Sequence, residues 1–429
     1  MKKTLKNSMI LLIAIAFILI LAGSVNAASA PTVETINGRE MFFANGTPIT
    51  IEANGTGALI KWEGDQKEVS SVAYIFGGMH NNDTEVNSSI IMNGGTVRAV
   101  MGGGLHKCNT KTATVIINGG TINSVTGGGV GAHATMANNC PCGGYSAVPA
   151  ELQLSETKTG TTNVTVNGGN ISLLFGAGSS GYTRTDAANL KVTGGTVEAV
   201  TAGSSNGSTG SAKLEVTGGT LGLVQSIQRG KLGEANVKVS GGDIAELYVC
   251  SSYDTKTAAG EITGEVTVEV TGSAKVEKME LGQMGTEKIT EPNNVVKKEN
   301  VKVAEGTVED STAIDNNVTK LNTIKVDGKT YYVEAGKTIK DLAEYASITA
   351  KDGYRFLGFK TAQGEWKENE ELTDGIELTT VFEKIEVGTV ENAPEKDETP
   401  KMGSNIISVY VIVALVSLVA VVAVKKYNA

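Results

Sequence analysis

A six-fold recurrence of a small polar residue followed by two glycines constrains this chain more than any other feature. The segments IIMNGGTVRAVMGGG, VIINGGTINSVTGGG, VTVNGGNISLLFGAG, LKVTGGTVEAVTAGS, LEVTGGTLGLVQSIQ and VKVSGGDIAELYVCS align without gaps. Their first glycines are Gly94, Gly119, Gly168, Gly194, Gly218 and Gly241, separated by 25, 49, 26, 24 and 23 residues. A fixed period of this kind marks a repeat architecture. The interval of 49 is one period plus an insertion, placed at 130–161.

Each unit predicts two short strands flanking a tight corner. The first strand alternates, as in Val164-Thr165-Val166, so its apolar residues share one face. The Gly-Gly pair permits a positive-φ corner that a Cβ would resist. The second strand carries apolar residues three apart, as in Val97 and Val100 or Val197 and Val200, so the backbone must bend between them to turn both inward. A unit this short cannot bury an apolar face alone and must stack on its copies. One stacking is an all-β, right-handed parallel β-helix with Val/Ile columns inside. The other is a set of hairpins in a propeller or sandwich, and a propeller blade needs ~40 residues or more. The β-helix is preferred.

Further coils are expected at both ends. SSVAYIFGGMH places Val72 and Ile75 one period before Val97 and Val100, and VTVEVTGSAKVEKM and VKVAEGTV repeat the pattern with altered corners. That predicts a stack over 71–310 of about eight or nine coils, roughly 40 Å long at ~4.8 Å per coil. Residues 28–70, which hold Trp62, are expected to cap its N-terminal edge. The Asn-Gly-Gly coils resemble Gly-rich β-helix repeats in surface proteins of Gram-positive bacteria, a resemblance covering about half the chain.

Composition fits thin repeated layers. Gly is 53 of 429 residues and Pro only 7, which excludes collagen and Pro-rich linkers, and aromatics are 5%. The formal charge is -9, and the first 27 residues carry three Lys and no acid, leaving -12 for the rest. With no basic stripe to neutralise phosphates, nucleic acid is not an expected partner.

The two ends predict a compartment. Lys2, Lys3 and Lys6, the apolar run Met9 to Leu21 and the exit Val25-Asn26-Ala27 make residues 1–27 a secretory signal peptide. Residues 406–424 are uncharged and long enough to cross a membrane, and Lys425 and Lys426 begin a cytoplasmic tail, 425–429. The mature body is then extracellular, held to the plasma membrane or cell wall by a single C-terminal anchor behind a spacer, 386–405. The order of Pro400, Lys401, Gly403, apolar span and basic tail resembles the sorting signal that sortases use on Gram-positive surface proteins. Met402 stands at that pattern's Thr position and Thr399 at its Leu position.

Residues 321–385 change character: Gly-Gly disappears and aromatics rise. Gly353-Tyr354-Arg355-Phe356-Leu357-Gly358-Phe359 and Leu378-Thr379-Thr380-Val381-Phe382 resemble the small extracellular repeat family named after Listeria and Bacteroides surface proteins, which includes internalin B-type repeats. Family members usually have Trp at Phe359. The resemblance implies a β-grasp-like spacer or binding module, with Ile339 to Tyr345 as its one helix.

Catalytic chemistry is sparse. Between Val72 and Cys250 the Asp residues are Asp83, Asp186 and Asp243 alone, and the position after the first apolar residue of each second strand reads Arg98, Asn123, Ser172, Glu198, Gly222 and Ala245. No carboxylate pair emerges, so no catalytic residues and no cofactor are assigned. The three histidines, His80, His106 and His133, follow the Gly-rich corners of consecutive units, with Cys108, Cys140 and Cys142 nearby. His80, His106, His133 and Cys108 are candidate ligands for Zn or Cu. Their offsets of 8, 9 and 11 from Val72, Val97 and Ile122 slip, however. The plainer reading makes the histidines solvated loop residues, with Cys108 bonded to Cys140 or Cys142. Cys250, five periods from Cys108, is out of reach of the others. The expected function is a non-catalytic surface protein with a structural or adhesive role and a glycan or extracellular-matrix ligand. The alternatives are a carbohydrate-active β-helix enzyme and a metal-binding surface protein.

Overall fold

The computed structural model describes residues 28–36, 38–131, 156–180, 182–252, 258–310, 314 and 316–385. The expected signal peptide, spacer and anchor, with His133, Cys140 and Cys142, lie outside these residues. Among the described residues no helix is long and apolar enough to cross a membrane.

The protein is all-β and built on a long, mostly parallel sheet in a β-helix-like arrangement. Corresponding strands of successive units pair with each other and not across the Gly-Gly corner, so the hairpin alternative is excluded. Glu85–Met92, Asn109–Ile117, Thr157–Val166 and Thr183–Val192 form one parallel column. It continues through the first halves of Ser208–Gln225 and Lys231–Tyr248 to Val266–Val270 and Val301–Ala304. The second column runs from Thr96–Met101 through Thr121–Thr126, Asn170–Phe175 and Thr196–Thr201. The second halves of the same two long strands, Lys275–Glu280 and Val308–Asp310 complete it.

Side-chain register explains the apolar spacing. Val97, Ile122, Ile171, Val197, Leu221, Ile244 and Val276 are successive partners in one column. Ile90, Val115, Val164, Leu190, Leu214, Val237, Val268 and Val301 are partners in the other. All of these are at most 2% exposed. Burying each such side chain contributes roughly 1.5–3 kcal/mol. In the second column the paired ladder skips one residue per coil: Arg98, Asn123, Ser172, Glu198, Gly222 and Ala245. The chain bends there, which turns both Val97 and Val100 inward as their spacing of three predicts.

The corners are packed backbone to backbone. The second glycine of each pair has φ between +89° and +106°, at Gly95, Gly120, Gly169, Gly195, Gly219 and Gly242. A Cβ on Gly120 would lie 2.7 Å from the Gly95 carbonyl oxygen, and one on Gly168 would lie 2.7 Å from that of Asn118. At three of the pairs the preceding residue ties its coil to the last. Asn118 Nδ2 donates to Asn93 Oδ1 at 2.8 Å, Asn167 Nδ2 to Asn118 Oδ1 at 2.8 Å, and Thr193 Oγ1 to Asn167 Oδ1 at 2.8 Å.

One outward row carries charge. Lys191, Glu215, Lys238, Glu269 and Lys302 are partners on successive coils, alternating in sign. Lys191 and Lys213 lie 3.5 Å and 2.8 Å from Glu215. The hydrogen bond from Lys213 is the main reason that the Glu215 carboxyl is held below its usual range.

Several boundaries differ from the sequence reading. Ile75 pairs with Val100 as expected, but Val72 lies in the turn before the strand, 64% exposed, and Ala73 is buried instead. The expected insertion 130–161 is shorter. Val130 still bridges to Leu105, and pairing resumes at Lys158 opposite Asn109. The N-terminal region joins the stack: Arg39–Phe43 pairs parallel with Tyr74–Phe76, and Ile49–Asn54 with Glu85–Met92. The covering layer is the antiparallel Thr32–Ile36 and the meander Gly57–Trp62 and Asp65–Val69.

At the other end, Thr319–Val326 pairs parallel with Val301–Ala304 and then antiparallel with Lys329–Glu334. The module therefore grows out of the last coil, with Lys302 2.7 Å from Glu334 and the Tyr332 hydroxyl accepting from Gly272 N at 2.8 Å. Its core gathers Ile324, Val326, Tyr331, Ile339, Leu342 and Phe359. The single helix expected over Ile339 to Tyr345 is broken into a 3₁₀ turn, Ile339–Asp341, and one α-turn, Tyr345–Ile348. Leu342 takes extended angles between them and is 8% exposed, so burial of its side chain interrupts the helix. Residues 351–355 and 382–385 fall in a second compact unit, where Ile385 N donates to Gly353 O at 2.9 Å.

The corner contacts make a specific prediction. Gly169→Ala meets both a φ of +93° and the Gly120 carbonyl oxygen at 2.9 Å, whereas Gly306→Ala meets a φ of +74° with open space around it. Each left-handed non-glycine residue costs about 1–3 kcal/mol. In urea unfolding Gly306→Ala is expected to show that loss alone and Gly169→Ala a larger one; equal losses would refute the close-packing account.

Candidate functional site

The stack edge beside the Gly-rich corners brings two of the four candidate metal ligands together. Parallel bridges join His80 to Leu105 and Leu105 to Val130, so His106 stands one position past the histidine register, as the unequal offsets foretell. His106 adopts φ +54° and donates its N–H to Val130 O at 2.8 Å, which folds its ring back against His80. The ring centroids are 5.6 Å apart and inclined at 54°. His80 stacks on Phe43 at 5.2 Å and 11°, and its Nδ1 is 2.8 Å from Glu34 Oε2. Phe43 and Leu105, which adjoin His80, belong to an apolar cluster with Met41, Tyr74, Phe76 and Met101.

This edge is not the solvated loop that the plainer sequence reading expects. His106 is fully buried, and desolvation first, then the neighbouring His80, hold its pKa down to about 4. It is therefore neutral at physiological pH. Cys108 is a buried free thiol, not half of a disulfide. Its Sγ donates to Met79 O at 2.7 Å and Leu105 O at 3.1 Å, and burial pushes its pKa up to about 12. A thiol held neutral and aimed at two carbonyls is a poor metal ligand. Among the described residues no three His, Cys, Asp or Glu side chains gather as a metal site. His133 lies outside the described residues. Cys250 is likewise a buried free thiol, with its pKa raised to about 12 by desolvation.

A second feature was missed by the sequence reading. The bend at each skipped residue makes the outer face of the second column concave, and an open groove of about 480 Å³ runs across four coils there. One wall is the row Thr96, Thr121, Asn170 and Thr196, in register from coil to coil. The other is Arg98, Asn123, Ser172 and Glu198, and the exposed Val72 closes one end. Glu198 is the single carboxylate among the described residues of this lining. Hydroxyls and amides repeated at the ~4.8 Å coil spacing suit many weak hydrogen bonds to an extended polar chain. The signal was present in the repeat alignment, where the residue before each first apolar position is Thr, Thr, Asn, Thr, Thr and Asp.

The buried imidazole has a measurable consequence. The His106 pKa in the fold lies below the ordinary histidine value of 6.5, so the unfolded chain takes up the extra proton as pH falls. Stability from this group is full above pH 6.5 and drains away toward pH 4, by at most roughly 3 kcal/mol at 1.36 kcal/mol per pH unit. Urea midpoints across this window are expected to fall more steeply for the native protein than for His106→Leu, and parallel curves would contradict the buried neutral imidazole. Comparison with protein-family models, with curated proteins and with solved structures finds no match for this chain.

Proposed function

We propose that this chain is a non-catalytic cell-surface protein with a structural or adhesive role. In this reading a right-handed parallel β-helix of eight or nine coils carries a β-grasp-like module of the Listeria/Bacteroides repeat kind. A C-terminal membrane segment behind a degenerate sortase-like signal holds both outside the cell. The observation that carries the adhesive part is the groove across four coils, with its in-register hydroxyl and amide rows and one carboxylate. Repetition favours a ligand that is itself repetitive, such as a glycan chain or an extended matrix protein, because many weak contacts at fixed spacing add along its length. The basic head and apolar span at the two ends of the sequence support the surface location.

The test is binding of the full chain to glycan arrays and to immobilised matrix proteins, repeated with Arg98→Ala/Asn123→Ala/Ser172→Ala. These side chains project from the sheet outside the core, so the variant keeps the fold. A loss of tenfold or more against a ligand that the native chain holds supports the groove as the adhesive surface, and unchanged binding refutes it. Location is checked separately by protease treatment of intact cells, which is expected to release peptides from residues 28–385 and none from 425–429; failure to release any would reject surface display.

A further inference from the structure

The interior of the stack is not wholly apolar. Thr110, Thr159, Thr185 and Thr209 are successive partners on four neighbouring coils. They are 1%, 2%, 1% and 3% exposed. Their Oγ1 atoms are buried without a hydrogen-bond partner among the described residues. Nearby buried hydroxyls behave differently. Thr162 donates to Gly176 O at 2.6 Å, Thr183 to Ser180 O at 2.7 Å and Thr157 to Val130 O at 3.3 Å.

The same column shows that an apolar side chain fits this position. Val86 precedes Thr110 in it and Leu232 follows Thr209, both at most 1% exposed. Valine has the shape of threonine without the hydroxyl, so four consecutive threonines between two aliphatic ends place four polar atoms where none is needed for packing. Two of them face glycine backbone. A Cβ built on Gly128 would lie 3.0 Å from Thr185 Oγ1, and one on Gly203 would lie 3.6 Å from Thr209 Oγ1. Gly128 O already accepts from Gly103 N at 3.1 Å, and a carbonyl oxygen retains a second lone pair.

We propose that these hydroxyls bind a file of ordered water molecules running along the inside of the stack. It runs along the threonine column, with waters bridging the hydroxyls of neighbouring coils, and is closed by Val86 and Leu232. Each water accepts from or donates to a threonine and reaches a corner carbonyl or its neighbour in the file, which meets the two to four polar partners that buried water requires. The file spans four coils, about 14 Å at the ~4.8 Å coil spacing.

Thr159→Val and Thr185→Val, singly and together, test this in the full chain. Where water is bound, removing the hydroxyl strands it, and each substitution is expected to lower the melting temperature by about 2 °C. Where the hydroxyls are simply unsatisfied, the valines raise it. A crystal structure of the native protein supplies the second readout, with solvent peaks within hydrogen-bond distance of at least two of the four Oγ1 atoms. Absence of those peaks, or valine variants that melt no lower than the native chain, overturns the proposal.

Discussion

Everything in the stack depends on how closely one coil's corner approaches the next. At each Gly-Gly pair a carbonyl of the previous coil occupies the space that a Cβ would take, and a positive φ is required at the same point. The strands leave these corners already aligned, and their branched aliphatics meet in register from coil to coil. The asparagine and threonine side chains at the corner then lock neighbouring coils laterally. Hydrophobic burial supplies most of the stabilisation, but the glycines decide that it is gained between coils and not within a hairpin.

Much of this was legible in the sequence, and for a physical reason. A short period repeated many times writes the same local requirement repeatedly, so Gly94-Gly95 and its equivalents report the corner, and Val97 with Val100 reports the bend. Residues outside the period were harder to place. Val72 occupies the expected offset, but the turn after Val69 displaces it, a tertiary outcome that spacing does not encode. The helix expected from Ile339 to Tyr345 yields to burial of Leu342, since so short an element has little propensity of its own to resist packing. The coils contributed by Arg39–Phe43 and Ile49–Asn54 lack the Gly-Gly signal and read as a cap.

The histidines illustrate the limit on the functional side. Their spacing brings His80 and His106 together, yet spacing says nothing about solvation. The structure buries His106 beside His80 and turns Cys108 toward backbone carbonyls, so both groups stay uncharged. The outer groove was hidden for the opposite reason. Its residues are ordinary Thr, Asn and Ser, unremarkable one at a time and meaningful only when the bend lines them up.

The alternating row from Lys191 to Lys302 bears on how such a chain avoids misthreading. Its aliphatic columns are nearly interchangeable, so a strand that skipped one neighbour and docked on the next would bury almost as much oil. The row does not tolerate that error. Skipping one turn sets Lys191 against Lys238 and Glu215 against Glu269, like against like at strand-pair distance. A surface feature worth little to the finished molecule thereby penalises docking on the next-but-one coil, and it does so least where concentrated salt mutes charge.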